Sequence, residues 1–397
     1  MTDKAVALKQ VNLTSMTVIF LFGRLVINMT RRFSYPFIPA IAQRLGTSIG
    51  SVQSALALSW GVGIFSPVFG VLTERFGRKP VMLGALALMA LVSLLGVFVP
   101  QFWAFAFVVV MYGISKMIFD PALQAYVGDR VPFAQRARTW GAIELSWSGS
   151  LFVIAPLTGL LLEQAGLQPV FAVLFVLLCL AMALIWLFIP DDRPDQPAAS
   201  PVKSQRQPVL RLLRQRPLAF AALGYSFCMI AAQEIFFINY ALWMEISFEL
   251  VLATMGLATV VLGLAEAVGE VAVSAFGDRF GLQRMTLYGT VLSAAGFALI
   301  PHLNQSLPLA LAAMFVLFVL VEISIVASIG LFTEVLAEAR AVMMSANFSA
   351  MSLGRLAGAL FGGGLYALTQ SFGLIGVVTM VFVLVGGGFI WLLGRRS

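Results

Sequence analysis

The chain alternates between long apolar runs and short polar breaks, on the length scale of helices that cross a membrane. A helix needs about 20 apolar residues to cross the hydrocarbon layer. The breaks mark twelve such runs, near residues 13–38, 50–73, 79–99, 102–127, 138–162, 168–189, 217–244, 251–275, 284–301, 306–332, 341–369 and 372–394. The runs are continuous rather than short and strictly alternating, which excludes a β-barrel. One polar stretch is long: from Pro190 to Pro217 it holds six prolines and six basic residues. It divides the runs six and six and reads as a hydrophilic linker. The expected units are a helical bundle over residues 1–189, a linker over 190–216 and a second bundle over 217–397. Met1 to Gln10 lead into a run too long for a signal-peptide core and lack a cleavage motif. The expected fold is therefore all-α and membrane-embedded.

Composition strengthens this reading. Hydrophobic residues make up 60% of the 397, mean hydropathy is +0.96 and only 11% of residues are charged. That is less than half the roughly 25% typical of soluble domains, so a water-soluble fold is excluded. Cys179 and Cys228 sit inside apolar runs and read as small packing residues. His302 is the only histidine, so no histidine cluster exists for a metal. The sequence contains no phosphate-binding P-loop that would make ATP the energy source. Neither an enzyme activity nor a cofactor is expected.

Charge sets the orientation. With the N-terminus on the cytoplasmic side, 19 of the 25 basic residues fall on inner loops, the linker and the ends. The remaining six are Arg24, Arg31, Arg32, Arg44, Lys116 and Arg355, mostly within spans. Basic residues gather on the cytoplasmic side of membrane proteins. Both termini are thus expected inside, in a cell inner membrane. The net charge of +7 reads as topology and contact with anionic lipid, with no nucleic-acid partner.

The two halves also repeat. Glu74-Arg75-Phe76-Gly77 recurs as Asp278-Arg279-Phe280-Gly281, a shift of 204 that also carries Arg136 onto Arg340 and Gly159 onto Gly363. Two parallel six-helix halves of this kind are a transporter architecture. The loop Gly70-Val71-Leu72-Thr73-Glu74-Arg75-Phe76-Gly77-Arg78-Lys79-Pro80 resembles the signature loop of the major facilitator superfamily, G-x-x-x-D-R-x-G-R-[RK], with Glu74 in place of the usual Asp. The resemblance implies a conformational latch formed by Glu74, Arg75, Gly77 and Arg78 that stabilises the outward-facing state. A topogenic basic loop without a latch is the alternative. Gly149 to Gly159 is similar to the family's antiporter motif, G-x-x-x-G-P-x-x-G-G, with Ala155 at the central glycine and Gly159-Leu160 at the final pair. In the family that motif accompanies exporters; a proline kink at Pro156 without directional meaning is the other reading. Gly354, Gly358 and Gly362 form a close-packing ridge that could also slide.

Charges inside spans are costly unless paired or wetted, so each is a functional candidate. The first half carries Arg24, Asn28, Arg31, Arg32, Lys116, Asp120 and Glu144; the second carries Glu234, Glu266, Glu270, Glu322 and Arg355. The shift of 204 maps Glu322 between Lys116 and Asp120, and Glu234 to the level of Arg31. Spans one, four, seven and ten line the central cavity in the superfamily, so Arg31–Glu234 and Lys116–Glu322 are expected to face each other. The alternatives are a closed Lys116–Asp120 pair and arginines that snorkel, which is the reading favoured for Arg32.

The resemblance implies a twelve-helix, two-bundle transporter resembling the proton-coupled efflux branch, working by alternating access on a small amphipathic compound. Arg24, Asn28, Arg31, Lys116 and Tyr240 are the substrate-binding candidates. Asp120, Glu322, Glu234 and Glu266 are the proton-coupling candidates. Protons, membrane lipid and a small-molecule substrate are the expected partners of a monomer. Uptake or exchange of an organic anion and lipid flipping remain rival functions.

Overall fold

The computed structural model describes residues 13–65, 76–191, 217–336 and 340–395, and among these every regular element is a helix. The first half holds α1 (Leu13–Arg32), α2 (Ile38–Arg44), α3 (Ile49–Gly61), α4 (Arg78–Phe98), α5 (Phe102–Arg130), α6 (Phe133–Glu144), α7 (Ser146–Ala165) and α8 (Gln168–Phe188). The second holds α9 (Pro217–Phe237), α10 (Tyr240–Phe248), α11 (Leu252–Phe280), α12 (Leu282–Leu299), α13 (Leu307–Val335), α14 (Arg340–Thr369) and α15 (Phe372–Gly394). Nine helical stretches of the described residues are long and apolar enough to cross a membrane. Spans nine and eleven are α12 and α14, and α3 forms the described start of span two. Most of the linker, residues 192–216, lies outside the described residues, as do Glu74 and Arg75 of the signature loop.

Three spans expected to be continuous are broken. Span one stops at Arg32, turns through a 3-10 segment over Tyr35–Phe37 and resumes as α2. Pro36 has no backbone N–H, and its ring would press on the carbonyl four residues earlier, that of Arg32. Span seven breaks between α9 and α10 at Ile238 and Asn239. There the Asn239 amide donates to the carbonyls of Ile235 (2.9 Å) and Gly362 (3.1 Å), satisfying acceptors that the break releases. Tyr35 and Asn239 are related by the same shift of 204, so the two halves break their first spans at one equivalent level. Span five divides at Leu145, between α6 and α7.

The signature glycines have a conformational reason. Gly77 and Gly281, equivalent in the repeat, take φ of +85° and +81° just before α4 and α12. Side-chain-bearing residues are strained there, whereas glycine is not.

Packing repeats with the sequence. In the first half α1 packs on α7 and α8, α4 on α5 and α8, and α3 on α5; in the second α9 packs on α14 and α15, α12 on α13 and α15, and α11 on α13. Between the halves α7 packs on α11 and α3 on α14, two crossings that exchange under the same repeat. The result is two pseudo-symmetric six-helix bundles.

Small residues make the α7–α11 crossing close. A Cβ at Gly159 would stand 2.5 Å from the Leu252 carbonyl oxygen, and one at Gly263 3.0 Å from that of Ser148. A Cβ at Gly256 would collide with the Ala155 carbonyl and stand 3.0 Å from Pro156 Cα. The ridge Gly354, Gly358 and Gly362 instead presses on α9 of its own bundle. It is an internal packing surface, and Gly363 is the glycine of that run that meets the other half, at Gln53.

Candidate functional site

The breaks in spans one and seven bring the polar residues of both halves to one level. Every residue from Val26 to Ile38 is buried, so the polar end of α1 and the turn after it run into the interior. Arg32 forms a two-pronged bond to Glu266 of α11, with Nη1 and Nη2 at 2.7 and 2.6 Å from the carboxylate oxygens. Nη1 also donates to the Trp147 carbonyl at 2.9 Å, and the guanidinium lies 4.4 Å from the Trp147 ring centre. The side chains are 3% and 1% exposed, so this ion pair between the bundles is dry.

Beside it stands a second group. The Tyr35 hydroxyl donates to Glu234 Oε1 at 2.6 Å and accepts from the Trp60 indole N–H. Arg355 Nη1 reaches Glu234 Oε2 at 3.3 Å, and its guanidinium lies 4.4 Å from the Trp60 ring centre and 5.5 Å from that of Trp147. Arg31 is 4.0 Å from the Trp60 ring centre and donates to the carbonyls of Ser59 (3.2 Å) and Val109 (3.4 Å). Such cation–aromatic contacts strengthen when desolvated. Arg32, Glu266, Glu234, Arg355 and the two tryptophans line one small polar cavity.

Further bonds join the bundles at the end away from the basic loops. Gln53 donates to the Ile238 carbonyl at 3.0 Å and to Asn239 Oδ1 at 3.3 Å. Glu163 Oε2 accepts from the Ala253 N–H at 2.8 Å, placing a carboxylate of one bundle on the N-terminus of α11 in the other. That end of the molecule is closed.

A third polar cluster lies wholly in the first bundle. Lys116 Nζ is 2.8 Å from Asp120 Oδ2 and 2.8 Å from Asn28 Oδ1, and Asn28 in turn donates to Ser146 at 3.1 Å. Arg24 contacts Glu144 at 2.8 Å and Asp120 at 3.6 Å. Glu144 is half-exposed, so this cluster meets the basic-loop side.

Three expected geometries are corrected. Arg32 does not snorkel: it is buried and bridges the bundles. Arg31 does not meet Glu234, whose partners are Tyr35 and Arg355. Lys116 does not face Glu322 but closes on Asp120 one helical turn away. Glu322 is buried with its Cβ against Gly269, within electrostatic reach of Glu266 and Glu270. Tyr240 bonds Thr259 at 3.1 Å and packs on Phe237. Of the signature loop, Arg78 pairs with Asp129 at the end of α5, and Lys79 donates to the Trp186 carbonyl at 2.9 Å. Both of these bonds stay within the first bundle.

A sequence profile of the Major Facilitator Superfamily matches residues 20–250, more than half of the chain. The chain belongs to the Major Facilitator Superfamily. Among curated relatives, the uncharacterized MFS-type transporter YceJ of Bacillus subtilis is 26% identical over 353 residues, covering 88% of this chain and 89% of the relative. The multidrug resistance protein MdtG of Rahnella is 26% identical over 385 residues, covering 91% and 89%. Among solved structures, the human organic anion transporter MFSD10 (TETRAN) superposes with a TM-score of 0.68 at 17% identity, over 96% of this chain and all of that one. That likeness shows the shared fold. The protein is a multi-pass membrane transporter of this superfamily.

Tyr35, Trp60, Gln53 and Asn239 were not singled out from sequence. The prolines after Arg32 were the signal for Tyr35, since a broken helix inside a membrane must line protein or a cavity. Trp60 carried no signal of its own, being one aromatic residue within the apolar run of span two.

Proposed function

We propose that this superfamily member is a secondary active transporter that exports small amphipathic compounds in exchange for protons, by alternating access. The observation that carries the reading is the dry Arg32–Glu266 bridge. Its partners belong to different bundles, so the bond holds only while the bundles touch at the closed end. The basic-loop rule makes that end the outer one and puts both termini on the cytoplasmic side of an inner membrane. When the end opens, Glu266 loses Arg32, whereas Glu234 keeps Arg355 of its own bundle. Glu266 is therefore the carboxylate released to take a proton.

The bridge then acts as a lock on the empty carrier. With Glu266 ionised and no substrate present, opening outward breaks a buried ion pair and is disfavoured. Substrate entering the cavity competes with the bridge and lets the carrier turn outward. After release, a proton on Glu266 lets it return without re-forming the bridge, and loss of that proton to the inside resets the lock. Empty, deprotonated carriers stay put, which is the condition for exchange rather than leak. Relatives named for multidrug resistance, such as MdtG, favour export as the direction.

The other candidates take supporting parts. Glu322, buried on the neighbouring α13, is the candidate to share its proton. Asp120 is held by Lys116 and Arg24 and, with Asn28, organises the polar cluster of the first bundle. The Arg78–Asp129 and Lys79 bonds brace the basic-loop side of the first bundle, and Glu74 and Arg75, outside the described residues, stay candidates for the latch.

Proteoliposomes with an imposed pH gradient test this. Glu266→Gln should lose nearly all gradient-driven transport yet retain exchange of labelled for unlabelled substrate, because an amide mimics the neutral carboxyl and cannot titrate. Full gradient-driven transport in that variant would move coupling to Glu322, Asp120 or Glu234.

A further inference from the structure

The Arg355 side chain lies on the wall of the central cavity. Its guanidinium lies against the faces of Trp60 and Trp147 and bonds Glu234 at 3.3 Å, the longest of the charged contacts in the central cavity. Arg32 is 3% exposed, whereas the Arg355 side chain is 16% exposed, so it sits on the cavity wall rather than inside the dry packing. Gln233 lines the same cavity, is 7% exposed and leaves its Oε1 buried without a donor. A carbonyl acceptor left bare in a buried site costs stability unless a ligand supplies the donor.

We propose that Arg355 is an internal stand-in for substrate, and that the cage of Trp60, Trp147, Glu234 and Gln233 takes a planar, delocalised organic cation bearing N–H donors, which displaces it. Three features set that chemistry. The tryptophan faces attract flat cations, as the guanidinium already resting on them demonstrates. Glu234 Oε2 and Gln233 Oε1 are two acceptors, and the second is unused. The exchange conserves charge: an entering cation takes the place beside Glu234 that Arg355 vacates. An entering anion would instead leave Glu234 facing a like charge.

Arg355 thereby has a selective role as well. A ligand must outcompete a tethered guanidinium, so a weakly bound compound fails to empty the cage. A bulky cation without N–H groups cannot reproduce the bonds to Glu234 and Gln233.

The inference rests on the transporter reading only for where the ligand is going; its test needs no gradient. Binding of ethidium (planar, with exocyclic amines) is measured to purified protein in nanodiscs at one pH, beside tetraphenylphosphonium and a naphthalene sulfonate of similar size. Arg355→Gln should bind ethidium roughly tenfold or more tightly, because it leaves Glu234 buried without its cation. Neither control should gain comparably. Arg355→Lys keeps the charge but loses the flat stacking surface. It should give a smaller gain in the same direction, and it decides the matter if the glutamine variant fails to fold. Glu234→Gln and Trp60→Leu should weaken ethidium. Unchanged or weaker ethidium binding in the Arg355 variants, or a larger gain for the sulfonate or the phosphonium, would overturn the proposal. Normal binding changes without any pH-driven transport would count against the exchange reading and leave this one standing.

Discussion

Replacing Arg32 with glutamine is expected to open the closed end of the protein and hold it open. The change removes one partner of a buried ion pair and leaves Glu266, 1% exposed, without its cation. Breaking such a pair costs about 3–5 kcal/mol, a shift of roughly two to nearly four powers of ten in the balance between closed and open forms. The open form escapes that cost because Glu266 then meets water. Paramagnetic labels at Ser48 and Glu249, exposed positions on opposite bundles at that end, read the separation. The double variant Arg32→Gln with Glu266→Gln leaves no orphan charge and should recover much of the closed population. The shortfall from additivity measures the pair directly. Equal opening in the single and double variants would mean that Arg32 acts on its own, through Trp147.

The second large effect is steric. Valine at Gly159 or Gly256 should block closure, because the added atoms meet backbone rather than movable side chains. Overpacking costs about 1–3 kcal/mol where neighbours can shift, and more where they cannot. The variants should reach the membrane, bind substrate and fail to cycle, with the Ser48–Glu249 distance lengthened. Gly364, which an added Cβ leaves clear of every neighbour, is the control position and should tolerate alanine. A normal transport rate in Gly256→Val would mean that the α7–α11 crossing does not have to close during the cycle.

How far the sequence could lead depends on what kind of question each residue poses. The spans were legible because a bilayer permits few solutions: backbone groups must bond internally, and the apolar runs have to be long enough. Depth was legible through the repeat to about a helical turn. Glu234 was assigned the level of Arg31, and both groups indeed meet the Trp60 cluster, one through Arg355 and one directly. Which way each side chain points was not legible. Neighbouring helical residues diverge by about 100°, so Arg31 and Arg32 face different helices although their depths are nearly equal. Arg32, read as a snorkelling side chain, turned out to carry the bridge. Lys116 and Asp120 were the reverse case: i, i+4 spacing is local information, and the local pair is the one that forms. Tyr35 was hidden because its position depends on how a broken helix resumes, which Pro36 announces without specifying.

The proposed cycle turns on a proton that frees Glu266 from Arg32 and so releases the bond between the bundles. Its most direct measurement is the Ser48–Glu249 label distance in substrate-free protein as the pH is lowered, in the parent chain and in Glu266→Gln. A neutral carboxyl cannot hold the Arg32 fork as a carboxylate does. The parent should therefore gain open population as pH falls, while Glu266→Gln should populate both open and closed forms and be indifferent to pH. The same pH response in both proteins would contradict the account.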